Sequence, residues 1–180
     1  DKPKKANLEG YLFPDTYEIG KGQTAEDLVG AMLSNFDKKL APDLRAEIAK
    51  QKKSIFQIIT MASMIEKEVQ TPADKKIVAG ILWKRIAISM PLQVDATIHY
   101  VTDKSDGSVV IDTKINSPYN TYKYYGLPPG PICNPGIDSI LAAIYPTKTD
   151  YWYYLSAKKT QKTIFSKTLE EHNAAVVKHL

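Results

Sequence analysis

The stretch "SIFQIITMASMIEKEVQ", Ser54 to Gln70, constrains the fold more than any other part of the chain. Ser54 followed three residues later by Gln57 is the signature of a helix start in which side chain and backbone cap each other. On a wheel of about 100° per residue centred on Ala62, the residues Ile55, Ile58, Ile59, Ile65 and Val69 fall within about 60° of Ala62, forming one apolar stripe. Phe56 and Met61 widen that surface. A helix this apolar must be covered on most sides, so the remaining elements have to be arranged around it.

Two glutamates close this helix. Glu66 falls at about 40° on the wheel, inside the apolar stripe, whereas Lys67 and Glu68 fall about 140° and 120° away. A carboxylate in an apolar stripe is desolvated, which raises its pKa and suits a general acid at neutral pH. Periodicity leaves three readings of Glu66 open: an acid that does chemistry, a structural ion pair with a buried Arg or Lys, or a residue of the last turn where the stripe meets solvent. Glu68 reads as a solvated residue that pairs with Lys67 or Lys75.

Other helices carry similar signals. Thr24 with Asp27 starts one whose core face is Val29, Met32, Leu33, Phe36 and Leu40. Leu44 and Ile48 mark a short helix. A further helix spans about Ala73 to Ile88, with Ile77, Val78, Ile81 and Leu82 inward. Thr168 with Glu171 starts a terminal helix bearing Ala175, Val176 and Leu180. Strand patterns are fewer. "LQVDATIHYV" alternates Leu92, Val94, Ala96 and Ile98 against Gln93, Asp95, Thr97 and His99, the period of a half-buried strand. "YWYYLSA" and "KTIFS" read as a hairpin turning around residues 158–161, and "YLFPDTYEI" as an extended segment that Pro14 confines to a sheet edge. Without a βαβ rhythm the class is α+β, a mostly helical domain with a small mixed or antiparallel sheet.

Ile115 to Gly136 holds five prolines, three glycines and four tyrosines. A loop of this length in a compact domain is functional or disordered. Proline stiffens it and tyrosine is a poor component of a disordered tail, so it reads as an ordered wall of a site. Tyr119, Asn120, Thr121 and Tyr122 offer the aromatic faces and amide groups that a pyranose ring requires. Gln93, Asp95 and Thr97, sharing one face of the expected strand, would add polar groups if that face meets a cleft.

Several chemistries are excluded. The net charge of +4 is spread over scattered lysines, with no basic, aromatic-interleaved block for nucleic acid. A single cysteine, Cys133, permits no internal disulfide, and the three histidines have no metal-ligand spacing. No nucleophile elbow, phosphate loop or dinucleotide fingerprint occurs. No metal or cofactor is expected, and no run of about 18 apolar residues is present.

Five motifs in order, "EGYLFPDTY" (Glu9 to Tyr17), "ASMIEKE" (Ala62 to Glu68), "LQVDATIHY" (Leu92 to Tyr100), "SPYNTY" with "GLPPGPICNPG" (Ser117 to Gly136) and "FSKTLEEHN" (Phe165 to Asn173), closely resemble the YceG-like family of endolytic murein transglycosylases. The resemblance implies a catalytic domain over residues 9–180 preceded by a linker or boundary at 1–8, with an N-terminal membrane anchor and a LysM-like subdomain lying before it in full-length members. It implies peptidoglycan as substrate, cell-wall synthases as partners, and the outer face of the bacterial membrane as location. The MurNAc–GlcNAc β-1,4 bond would be cleaved to leave a 1,6-anhydro-MurNAc end. Glu66 would be the catalytic acid and then base, and Gln93, Asp95, Thr97, Tyr119, Asn120, Tyr122 and, more remotely, Glu9 would be substrate contacts. Thr163 stands about where many relatives carry a histidine. Two other readings compete, an inactive glycan-binding or scaffolding module and a cytoplasmic lyase, the latter requiring a cofactor lysine for which the chain shows no site.

Overall fold

The computed structural model describes residues 2–4, 6–102, 112–157, 160 and 162–179. Seven helices and one two-stranded antiparallel sheet make up the regular structure of those residues, an α+β arrangement dominated by helix. The elements are α1 (Ala25–Lys39), α2 (Pro42–Lys50), α3 (Ile55–Glu68), α4 (Pro72–Ala87), α5 (Asp95–Thr102), α6 (Ile137–Ile144), β1 (Tyr153–Ser156), β2 (Thr163–Ser166) and α7 (Leu169–His179).

The helix α3 is the hub. Its start is a reciprocal capping box between Ser54 and Gln57, and Ile58, Ile59, Met61, Ala62, Met64 and Ile65 have no solvent exposure. The helices α2, α4, α5 and α6 all pack against it. Thr24 and Asp27 form the same box at α1, and Thr71 accepts a hydrogen bond from the Asp74 N–H at the start of α4. Glu171 and Thr168 bond each other's backbone at the entry to α7. That helix buries no side chain completely and lies over β1 and β2, with Ala175 and Val176 half-buried; Leu180 falls outside the described residues.

The expected hairpin is present, in a register that pairs Tyr153 with Ser166 and Ser156 with Thr163. Residues 158, 159 and 161 of its connection lie outside the described residues. The segment Tyr11 to Ile19 is not an edge strand. The N–H groups of Gly10 and Leu12 both donate to the Asn134 side-chain oxygen, at 2.7 and 3.1 Å, instead of to a strand partner. Gly10 has φ +87°, and a Cβ there would lie 2.6 Å from Pro131 and 2.7 Å from Ile59. The N-terminal strap therefore runs tightly between the proline-rich loop and α3.

The expected strand over residues 92–101 is also corrected. No strand forms there: Gln93 has a left-handed backbone with φ +54°, its N–H donates to Thr121 O at 3.1 Å, and α5 begins at Asp95. The buried positions are Leu92, Val94, Thr97 and Ile98, and the last three follow a helical spacing that two-residue alternation concealed. Thr97 tolerates burial because its hydroxyl bonds to Val94 O at 2.8 Å and to the Thr121 hydroxyl at 3.1 Å. The helix α6, whose "IDSILAAI" supplies five buried residues to the core, starts after Gly136 with no side-chain cap to mark it locally.

The proline- and tyrosine-rich loop is ordered, as its composition suggests. Fully buried Asn120 donates to Thr113 O and Ile115 O at 3.0 and 2.8 Å and accepts from the Tyr122 N–H. Ser63 of α3 accepts from the Ile132 N–H at 3.0 Å, pinning the far end of the loop to the hub.

Candidate functional site

A cleft of about 590 Å3 opens at the C-terminal end of α3. Lys67 and Glu68 come from the last turn of α3, Arg85 from α4, and Gln93 and Asp95 from the segment entering α5. Tyr122 comes from the proline-rich loop, Tyr153 to Ser156 from β1, and Leu169, His172 and Val176 from α7. Five separate elements thus converge on one glutamate.

That glutamate is Glu68. Its Oε2 accepts a hydrogen bond from the Tyr154 hydroxyl at 3.0 Å. Burial pushes the carboxyl up to about 7, and the neighbouring Asp95 charge pushes in the same direction. The Tyr154 hydroxyl, the Ala96 N–H and the Arg85 cation oppose that rise without cancelling it. Asp95 in turn accepts a hydrogen bond from the Tyr122 hydroxyl. Burial, with the Asp95 and Glu68 charges, holds Tyr122 and Tyr154 above the usual phenol range, so both remain donors at neutral pH.

Arg85 supports this arrangement from behind. It is 4% exposed, and its Nε and Nη2 donate to Trp152 O at 3.1 and 2.5 Å while Nη1 donates to Leu92 O at 2.7 Å. The two backbone segments it clamps lead directly into Tyr153–Tyr154 and Gln93–Asp95. His172 stacks on Tyr153 with centroids 5.3 Å apart, and burial together with Arg85 lowers its pKa, so the imidazole is neutral. Its Nδ1 has no hydrogen-bond partner among the described residues.

Glu66, on the opposite side of the helix end, lies in a different environment. Its Oε2 accepts from Lys75 Nζ at 3.0 Å and from the Ser139 hydroxyl, beside the Gly136 N–H at the start of α6. Burial alone would raise its pKa, but these donors and the Lys75 charge hold it below the usual carboxylate range. This is the structural ion-pair reading that periodicity left open, strengthened by the positive end of a helix. Lys75 is 7% exposed, so the pair ties α3, α4 and α6 together.

The expected placement of Glu68 is therefore reversed. It does not pair with Lys75, and it is half-buried at the cleft rather than fully solvated. Of the other anticipated residues, Gln93, Asp95 and Tyr122 meet Glu68 in the cleft. Thr97 and Asn120 do not reach it, since both are fully buried and their polar atoms are used in holding the loop and α5. Tyr119 packs against Tyr100 with centroids 5.0 Å apart, near the Glu9 charge, and none of these three lines the cleft. Arg85, Tyr153, Tyr154 and His172 were not anticipated as site residues. The signal for Tyr153 and Tyr154 lay in "YWYYLSA", where aromatics fall on both faces of a short strand and cannot all enter one core.

Among the described residues, no cluster of three or more His, Cys, Asp or Glu has the geometry to hold a metal ion, and no helix is long and apolar enough to cross a membrane.

Comparison with known proteins places these features in a family. The profile of the YceG-like family matches residues 1–178. An endolytic murein transglycosylase of Bacillus subtilis is 43% identical over the whole of this chain, which spans 50% of that protein. One from Streptococcus pneumoniae strain D39 is 37% identical, again over the whole chain, with 34% of its own length covered. A crystal structure of a YceG-like protein from Listeria monocytogenes superposes with a TM-score of 0.87 at 45% identity, covering 97% of this chain and 57% of that one. The chain thus spans about half the length or less of the curated relatives it matches. On the strength of a match along nearly its entire length, this chain belongs to the YceG-like family.

Proposed function

We propose that residues 9–180 form the catalytic unit of an endolytic lytic transglycosylase that cleaves the MurNAc–GlcNAc β-1,4 bond of peptidoglycan, with Glu68 as the single acid and base. The observation that carries this reading is the half-buried carboxyl of Glu68, held by the Tyr154 hydroxyl in an open cleft walled by tyrosines, where burial pushes it up to about 7. A carboxyl that is half protonated near neutrality is what a glycosidic leaving group requires. The names of the relatives support peptidoglycan as substrate. Glu66, the acid implied by family resemblance, is held ionised by Lys75 and Ser139 and does not line the cleft, so the reading moves the role two residues along α3.

The steps follow from the groups present. With the Tyr154 hydroxyl donating to Oε2, the labile proton sits on Oε1. Glu68 gives that proton to the glycosidic oxygen as the bond to MurNAc C1 breaks, and C1 acquires oxocarbenium character. The charge of Asp95, fixed by the Tyr122 hydroxyl, favours positive charge developing beside it. The Glu68 carboxylate then removes the proton of the MurNAc C6 hydroxyl as that oxygen attacks C1, closing the 1,6-anhydro ring and restoring the neutral acid. The nucleophile belongs to the substrate, so no water has to be activated. Tyr122 supplies an aromatic surface for a sugar ring, and Gln93 an amide for its hydroxyl or acetamido groups. Such a substrate places the domain outside the cytoplasm, with a membrane anchor in a preceding segment and cell-wall synthases as its working partners.

Digestion of purified peptidoglycan, with the ends identified by mass spectrometry, tests this reading. Wild type gives anhydro-MurNAc ends, Glu68→Gln essentially none, and Glu66→Gln retains activity to the extent that it remains folded. Loss with Glu66→Gln in a folded protein and retention with Glu68→Gln would return the role to Glu66. Reducing ends that incorporate water would make the enzyme a hydrolase.

A further inference from the structure

The cleft beside Glu68 does not stop at β1. Ser156 on its rim also borders a second hollow of about 310 Å3, completed by Gln70, Thr71, Asp74 and Thr163. Its walls come from the α3–α4 turn, the first turn of α4 and both strands, so it is built by the same elements that position Glu68. Thr163 Oγ1 donates to Asp74 Oδ2 at 3.0 Å, and the Asp74 N–H donates to Thr71 Oγ1 at 3.1 Å, which fixes the carboxylate in place. Asp74 Oδ1 and the exposed Gln70 amide make no hydrogen bond among the described residues.

We propose that this hollow is a further saccharide subsite, holding a sugar of the glycan strand adjacent to the pair cleaved at Glu68. The proposal rests on the reading of the main cleft as a peptidoglycan site. Three observations carry it. The two hollows share a wall residue, Ser156, so they adjoin at β1. The free groups are an amide and one carboxylate oxygen, a set that bonds sugar hydroxyl and acetamido groups. Among the described residues that line it, the one ionisable group is Asp74, which disfavours the carboxylates of a stem peptide at that wall. An enzyme that cuts within a strand must accommodate sugars beyond the broken bond, and this hollow is of a size to hold one of them.

The test uses amidase-released glycan strands fractionated by length and the double variant Gln70→Ala/Thr163→Val. Its kcat/KM should fall about tenfold further on long strands than on the shortest fragments cleaved, the equivalent of about 1.4 kcal/mol of binding confined to the extra sugars. Binding is read separately by adding the double substitution to Glu68→Gln and titrating with the same strands, where long-strand affinity should weaken by a similar ratio. Equal losses at all lengths, or none, would overturn the subsite. If the wild type yields no anhydro ends, the reading of the main cleft fails, and the binding arm alone decides whether the hollow holds sugar.

Discussion

Replacing Glu68 by glutamine should abolish activity and make the protein more stable, but only above mildly acidic pH. In the unfolded chain this carboxyl titrates near its ordinary value of 4.5; in the folded protein burial holds it at about 7. The folded state therefore binds the proton more tightly, and stability declines as pH rises from about 4.5 to 7. At about 1.36 kcal/mol per pH unit, that interval corresponds to a cost on the order of 3 kcal/mol at pH 8. Glutamine is neutral at every pH and escapes it. Glu66→Gln should behave oppositely. Its carboxyl is held low by Ser139 and Lys75, so its contribution is present at neutral pH and is lost as pH falls through its folded value. Removing that charge leaves Lys75 enclosed without its partner, at a cost of about 1–3 kcal/mol at pH 7, between the values for exposed and buried pairs. Urea unfolding of the three proteins at pH 4.5 and pH 8 reads both effects. A Glu68→Gln stability difference that does not grow with pH would refute the argument that this carboxyl is held protonated by its surroundings.

The same logic gives an activity profile. With Glu68 as the acid, kcat/KM falls above about pH 7. Asp95→Asn removes a repelling charge and moves that limb to lower pH, while Tyr154→Phe removes a hydrogen bond to the carboxylate and moves it higher, each by about half to one pH unit; movement in the reverse senses would count against the assignment. Arg85→Met strips the donors from Trp152 O and Leu92 O, and denaturant unfolding should show a loss of about 3 kcal/mol or more, of which Arg85→Lys recovers only part for want of the planar fork. Gly80→Ala brings a Cβ to 2.0 Å from the Thr147 carbonyl oxygen, so the usual gain in helix propensity is outweighed and the variant unfolds at about 1–2 kcal/mol less cost than wild type. A Gly80→Ala protein as stable as wild type would mean that the 147 segment moves freely away from α4.

The legible part of this fold was the part encoded locally. Capping pairs such as Ser54 with Gln57 and Thr24 with Asp27 act within a single turn, and the apolar stripe of α3 repeats every few residues. Proline stiffness is likewise a property of the residue itself, so order in the loop was readable from composition. Where two periods fit the same short run, as in "LQVDATIHYV", neighbours decided. The buried hydroxyl bond between Thr97 and Thr121 brings together residues 24 positions apart, and no local pattern announces it.

The two glutamates show the division most clearly. The sequence by itself determined that an apolar helix ends in two acids on different faces, and that tyrosines and amides lie elsewhere to line a groove. Only the tertiary structure decided which acid lines the cleft. The wheel ranks a side chain against its own helix, whereas a carboxyl's pKa depends on everything packed around it. Glu66 faces a lysine nine residues on and the start of α6, which keep it charged. Glu68 lies beside Asp95 of α5, Arg85 of α4 and, 86 residues on, Tyr154 of β1; its burial among them and the Asp95 charge lift the carboxyl to about 7 against the Tyr154 hydroxyl and the Arg85 cation.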